Sequence, residues 1–165
     1  MNCINLPNDR DNDVYSYMSW SMITNKESPQ YRLRENYIKK GHPIYDPDGL
    51  ADIFGRKIVA VTSTIGDIGD EIEIIFQNSL SNWRNGNSLE AIIGDEKDQN
   101  DTDPPCDKYG HLYGKYQRCV VEFIVQNGLF HNNRTIKKVF PCLNNNPVIK
   151  IKNNGKNLVY SHDLL

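Results

Sequence analysis

Two acidic residues stand where a carboxylate could do chemistry. Asp95 follows the apolar run Leu89–Ile93 through Gly94. A glycine there permits a tight turn or a close backbone approach, which would set the carboxylate at the mouth of a β structure. Glu122 stands among Val120, Val121, Phe123 and Ile124, and a carboxylate in so apolar a strand is costly unless it is paired or wet. A general acid working near neutral pH needs a raised pKa, supplied by burial or by a second carboxylate. Asp95 and Glu122 meet that need together if the strands carrying them face each other, with Asp95 giving the proton and Glu122 tuning its affinity. The plainer alternative makes Asp95 a turn cap and puts Glu122 on the wet side of its strand.

The surrounding residues offer a binding set of Lys97, Tyr109, His111 and Tyr113. Lys97 either pairs with Asp95, which would lower that carboxyl's pKa, or points into solvent. His111, in YGHLYG, is a proton carrier, a metal ligand or a residue with no special role. Tyr109, Tyr113 and Tyr116 are spaced to present rings on which sugars stack, or to pin their loop to the body of the protein. Metal chemistry finds little support. An EF-hand starting at Asp98 would put Asp103 where glycine is required and Tyr109 where the bidentate Glu belongs. Cys106, His111 and Cys119 match no common zinc spacing. With no phosphate-cradling glycine loop and no nucleophile elbow, neither a cofactor nor a metal is expected. A Cys106–Cys119 bridge across a hairpin is the one disulfide considered, and it would need an oxidising compartment.

These residues must be held by strands. Lys57–Thr64 is a β-branched run between glycines, and Asp70–Gln77 alternates acidic and apolar residues with the period of a half-exposed strand. Leu89–Ile93 gives a third strand ending at Gly94-Asp95, Cys119–Val125 a fourth, and Pro147–Lys152 a last one. Residues 96–117 form a long loop expected on the same side as Asp95. Ser28-Pro29 and Asp46–Gly49 read as turns, and no long amphipathic helix is legible. Residues 1–13 read as disordered or loosely docked, and 14–23 as an aromatic arm that packs on the body. Short strands at regular spacing predict a mainly β fold, a small closed six-stranded barrel over 52–126. Residues 1–51 would form an N-terminal arm and packing segment, and 127–165 an extension with one strand. Val59, Val61, Ile72, Ile74, Ile92, Val121 and Phe123 should be mostly buried.

Composition narrows the function classes. The chain has 165 residues, 38% hydrophobic and 24% charged, with a net charge of −2. No Lys/Arg cluster marks a nucleic-acid footprint. No apolar run is long enough to cross a membrane, and the start MNCINLPNDRDND lacks the basic and apolar parts of a signal peptide. The expectation is a soluble protein made in the cytoplasm, compatible with a virion component or release by a non-signal route.

The order of the segments KIVAVTS, GDIGDEIEI, AIIGD and VVEFIV resembles the double-psi β-barrel of the three-aspartate (3D) family, which is related to the barrel of lytic transglycosylases. The likeness is greatest to proteins of Gram-positive bacteria and their phages, and it spans about residues 23–151 with the flanks ITNKESPQYRL and NNPVIKI. It implies an acidic groove that cleaves the glycan of peptidoglycan. One carboxyl protonates the glycosidic oxygen while the sugar's own 6-hydroxyl closes an anhydro ring. Asp95 matches the family's aspartate after the third strand, and Glu122 replaces the acidic residue of the last barrel strand. Thr62 or Ser63 stands where a further aspartate is expected. The implied partner is a peptidoglycan glycan strand. The rival reading, a non-catalytic phage tail or baseplate module, has an envelope or phage structural protein as its partner.

Overall fold

The computed structural model describes residues 2–8, 12–16, 19–20, 23–39, 41–97, 107–111, 119–126 and 135–159. Along them run β1 (Asn2–Asn5), β2 (Asp13–Ser16), α1 (Pro29–Lys39), β3 (Asp52–Ile53), β4 (Arg56–Val61), β5 (Asp70–Phe76), β6 (Ser88–Glu96), β7 (Cys119–Phe123), α2 (Thr135–Val139) and β8 (Val148–Asn157). The fold is mainly β, and its strands form one mixed sheet in the order β1-β8-β5-β6-β4-β7-β2, with β3 beside β4. This path is open, where a closed six-stranded barrel is expected from the sequence. The sheet takes strands from the N-terminal, central and C-terminal segments alike. Its end strands are tied by the short link 6–12, and the Asn12 carbonyl accepts the Val148 N–H of β8 at 2.9 Å.

Alternation along the strands splits the apolar residues into two layers, because successive side chains leave opposite faces. Val59, Val61, Ile72, Ile74, Leu89, Ala91, Ile93, Val121 and Phe123 join one buried cluster, which α2 completes with Ile136. Ile58, Ile92 and Ile124 point the other way and meet Trp20, Leu33 and Tyr37. All seven residues expected in the core are buried.

Two expectations are corrected. Residues 2–5 are not loose: they pair antiparallel with β8 from Asn2↔Asn153 to Asn5↔Lys150, and Leu6 is buried just beyond. The alternation of Ile4 and Leu6 carries this strand beneath an Asn-rich composition. Ser28-Pro29 is the start of a helix, not a turn. The Ser28 hydroxyl accepts the Tyr31 N–H at 3.2 Å as an N-cap, and Pro29 takes the first helical position, where its missing N–H costs nothing. Leu33 and Tyr37, four residues apart, then face the sheet.

The third central strand runs past Gly94-Asp95 to Glu96. It does so through a bulge: Val59 pairs with Ile93, but the next residue, Ala60, pairs with Asp95. Gly94 is the residue passed over. A Cβ on it would come within 2.1 Å of Ile58 Cγ2, so only glycine fits against this side chain. Gly94→Ala should therefore destabilise the fold by about 1–3 kcal/mol, the ordinary cost of overpacking. Chemical denaturation checks this, and in an Ile58→Ala background, which removes Cγ2, the penalty should shrink.

Candidate functional site

The bulge decides which way Asp95 faces. In an unbroken strand Asp95 would share the face of Leu89, Ala91 and Ile93, inside the larger core. One extra residue reverses the alternation. Asp95 then falls beside Ala60, and Ala60 also pairs with Glu122 on its other flank. Asp95, Ala60 and Glu122 thus form one row across three strands on one face, continued by Tyr15, the β2 partner of Glu122. Neighbouring strands lie about 4.8 Å apart, so the two acidic residues have backbones roughly 10 Å apart. Ala60, itself buried, is the residue that lies between them.

The two carboxylates have different surroundings. Asp95 is half-buried. Its Oδ1 accepts the Glu96 N–H at 2.8 Å and the Gln30 Nε2 at 3.3 Å from the first turn of α1. Glu122 is only 7% exposed, with Lys97 Nζ at 3.5 Å. Burial pushes the Glu122 carboxyl above the usual range. Lys97 opposes that shift and the Asp95 charge adds to it. Lys97 is neither solvated nor paired with Asp95 as the sequence suggests. It is buried, turned to Glu122, and donates to the Cys119 carbonyl at 2.6 Å. Cys119 itself has a free thiol that donates to the Val121 carbonyl at 3.0 Å. The Cys106–Cys119 bridge is therefore not formed; Cys106 lies outside the described residues.

Residues 107–111 of the 96–117 loop sit at the Asp95 end of the sheet. A Cβ on Gly110 would lie 2.9 Å from the Cys119 carbonyl and 3.2 Å from Lys97 Cδ, so this loop roofs the Lys97–Glu122 pair. Thr62 is buried and donates its hydroxyl to the Lys108 carbonyl. His111 is buried, its ring nitrogens 2.8 Å from Asp107 Oδ2 and 2.8 Å from Asn12 Oδ1. Burial disfavours the Asp107 charge, but His111 and the backbone N–H groups of Tyr109 and His111 outweigh it and hold that carboxyl below the ordinary range. His111 thus clamps the loop to Asn12, the residue just before β2, and is not hydrogen-bonded to Asp95 or Glu122. Tyr109 packs against the larger core, which pins the loop. Tyr113 and Tyr116 lie outside the described residues. Among the described residues no group of three His, Cys, Asp or Glu side chains could hold a metal.

A cleft of about 380 Å³ opens beside the row between Pro29, Val61, Ser63, Asp67, Ile93 and Glu96. Neither Asp95 nor Glu122 is among its described lining residues. Gln30, Ala60 and Asn12 are parts of the arrangement that the sequence does not announce. Gln30 was recoverable from the Ser-Pro cap two residues before it; Ala60 and Asn12 act only through pairing partners far along the chain. No family model, curated protein or solved structure matches the chain.

The raised Glu122 carboxyl has a pH signature. The folded protein holds that proton to higher pH than the unfolded chain, so its contribution is complete below the ordinary value of 4.5 and is lost as pH rises through the folded value. The melting temperature of the wild type relative to Glu122→Gln should fall across that window. A difference that stays constant from pH 4 upward would contradict the buried, raised carboxyl.

Proposed function

We propose that this is a cell-wall-directed protein, of the 3D-like class and of phage or prophage type, acting on the glycan strands of peptidoglycan. One observation carries the reading: the bulge at Gly94 brings Asp95 onto the face of Glu122, with only Ala60 between them. Two carboxyl groups in unlike surroundings take unlike roles. Glu122, whose carboxyl burial pushes above the usual range, serves as the general acid toward the glycosidic oxygen. Asp95, the more exposed of the pair, stands as the anion that steadies positive charge developing on the sugar ring. This reverses the roles that the sequence alone suggests. The closed double-psi barrel belongs to the same proposal, and the short link between the two end strands supports it.

A second reading, a non-catalytic tail or baseplate module, is favoured by a specific feature. Glu122 is engaged by Lys97 beneath the 107–111 loop, and Thr62 or Ser63 stands where the resemblance implies a further carboxylate. In that reading the Lys97–Glu122 pair holds the loop in shape, and the protein docks onto an envelope or phage structural protein.

Incubation with purified peptidoglycan separates the two. The first reading predicts soluble anhydro-muropeptides, and losses of roughly 10²–10⁴-fold in Glu122→Gln, the size expected for general acid catalysis. Asp95→Asn should also lose activity while its melting temperature stays near that of the wild type. A folded wild type that releases nothing from several peptidoglycan types would leave the second reading in possession.

A further inference from the structure

Phe54 is set in an unusual way. The hairpin joining β3 and β4 pairs Asp52 with Lys57 and Ile53 with Arg56, which leaves a two-residue loop, Phe54–Gly55. Both loop residues have positive φ, 52° and 86°, as in the type I′ turn, whose first position favours Asn, Asp or Gly. A bulky aromatic residue there is an outlier that costs backbone energy. The ring does not recover that cost by full burial, since Phe54 is 54% exposed.

Its surroundings fix the ring in place. The His42 ring lies 4.7 Å from Phe54 and the Tyr37 ring 5.6 Å, both edge to face, while Tyr37 and His42 stack on each other. Beside the tip, Arg84 Nη2 reaches the Gly55 carbonyl at 3.5 Å. The other exposed large hydrophobic residues among those described, Val139 and Ile149, lie on α2 and β8. Phe54 is therefore a single fixed ring with a polar rim, not part of an apolar patch of the kind that protein partners cover. A pyranose fits such a place, having one apolar C–H face edged by hydroxyl groups.

We propose that Phe54, held at the hairpin tip by Tyr37 and His42, is a stacking platform for one sugar ring of a glycan strand. The proposal rests on the glycan reading above and assigns it a binding subsite apart from the acidic row. The test uses the full chain, a soluble β-1,4-linked N-acetylglucosamine tetramer and insoluble peptidoglycan as probes, and the variants Phe54→Asn and Phe54→Trp. Asn suits the left-handed turn position, so Phe54→Asn should melt no lower than the wild type yet bind about tenfold more weakly, as expected for loss of one stacked ring. Phe54→Trp should keep its affinity. Equal glycan binding by wild type and Phe54→Asn would overturn the platform and leave the glycan reading standing. A lower melting temperature in Phe54→Asn would make the ring a clasp on α1 and overturn it likewise. A wild type that binds neither probe would remove both the glycan reading and the platform.

Discussion

The contact between Gly94 and the Ile58 side chain governs the rest of the site. Because β6 can lie this close to β4 only where it lacks a Cβ, the strand carries its bulge there. The bulge then reverses the alternation for every residue that follows. Without it, Asp95 would point into the larger apolar core, where an ionised carboxylate is untenable. With it, Asp95 reaches the half-buried face under α1, where the amide of Gln30 and the backbone of Glu96 can satisfy it. One missing methyl group thus links the packing of the sheet to the placement of charge.

The Lys97–Glu122 pair depends on the same displacement, since Lys97 follows Asp95 two residues on and its backbone N–H is bonded to the Val61 carbonyl at 2.8 Å. A buried ion pair gives uncertain net stability, because desolvation offsets much of its attraction. Removing one partner is costly, because it strands the other charge. What the pair fixes here is geometry. Lys97 joins the end of β6 to the first residue of β7 and lies under Gly110, while His111 ties the same loop to Asn12. The acidic row is therefore held by contacts from the N-terminal segment, the central strands and the loop together.

Much of the fold was legible. The β-branched run at 57–61 and the alternation at 71–74 gave strands, a mainly β fold and a correct set of core residues, because period-2 burial is written directly in residue type. The helix at 29–39 was missed because Ser28-Pro29 has the chemistry of both a turn and a helix start, and only the later burial of Leu33 and Tyr37 decides between them. The strand at 2–5 was hidden by its asparagines, which pair through backbone groups that carry no sequence signal. Within the site, Asp95 and Glu122 were readable as unusual carboxylates from their apolar neighbours. Their relation was not: it depends on Ala60 as a shared partner and on a bulge, both consequences of long-range pairing. The sequence points Lys97 toward Asp95, two positions before it, whereas its partner is Glu122, 25 positions away.

The central claim is that Asp95 and Glu122 share one face closely enough for the charge of one to act on the other. Carbon-detected NMR titration of the Glu122 carboxyl in the wild type and in Asp95→Asn tests it directly. The account predicts a wild-type midpoint above the ordinary value of 4.5 and a lower midpoint once the Asp95 charge is removed. The same midpoint in both proteins would contradict it, placing Asp95 where its charge does not reach Glu122.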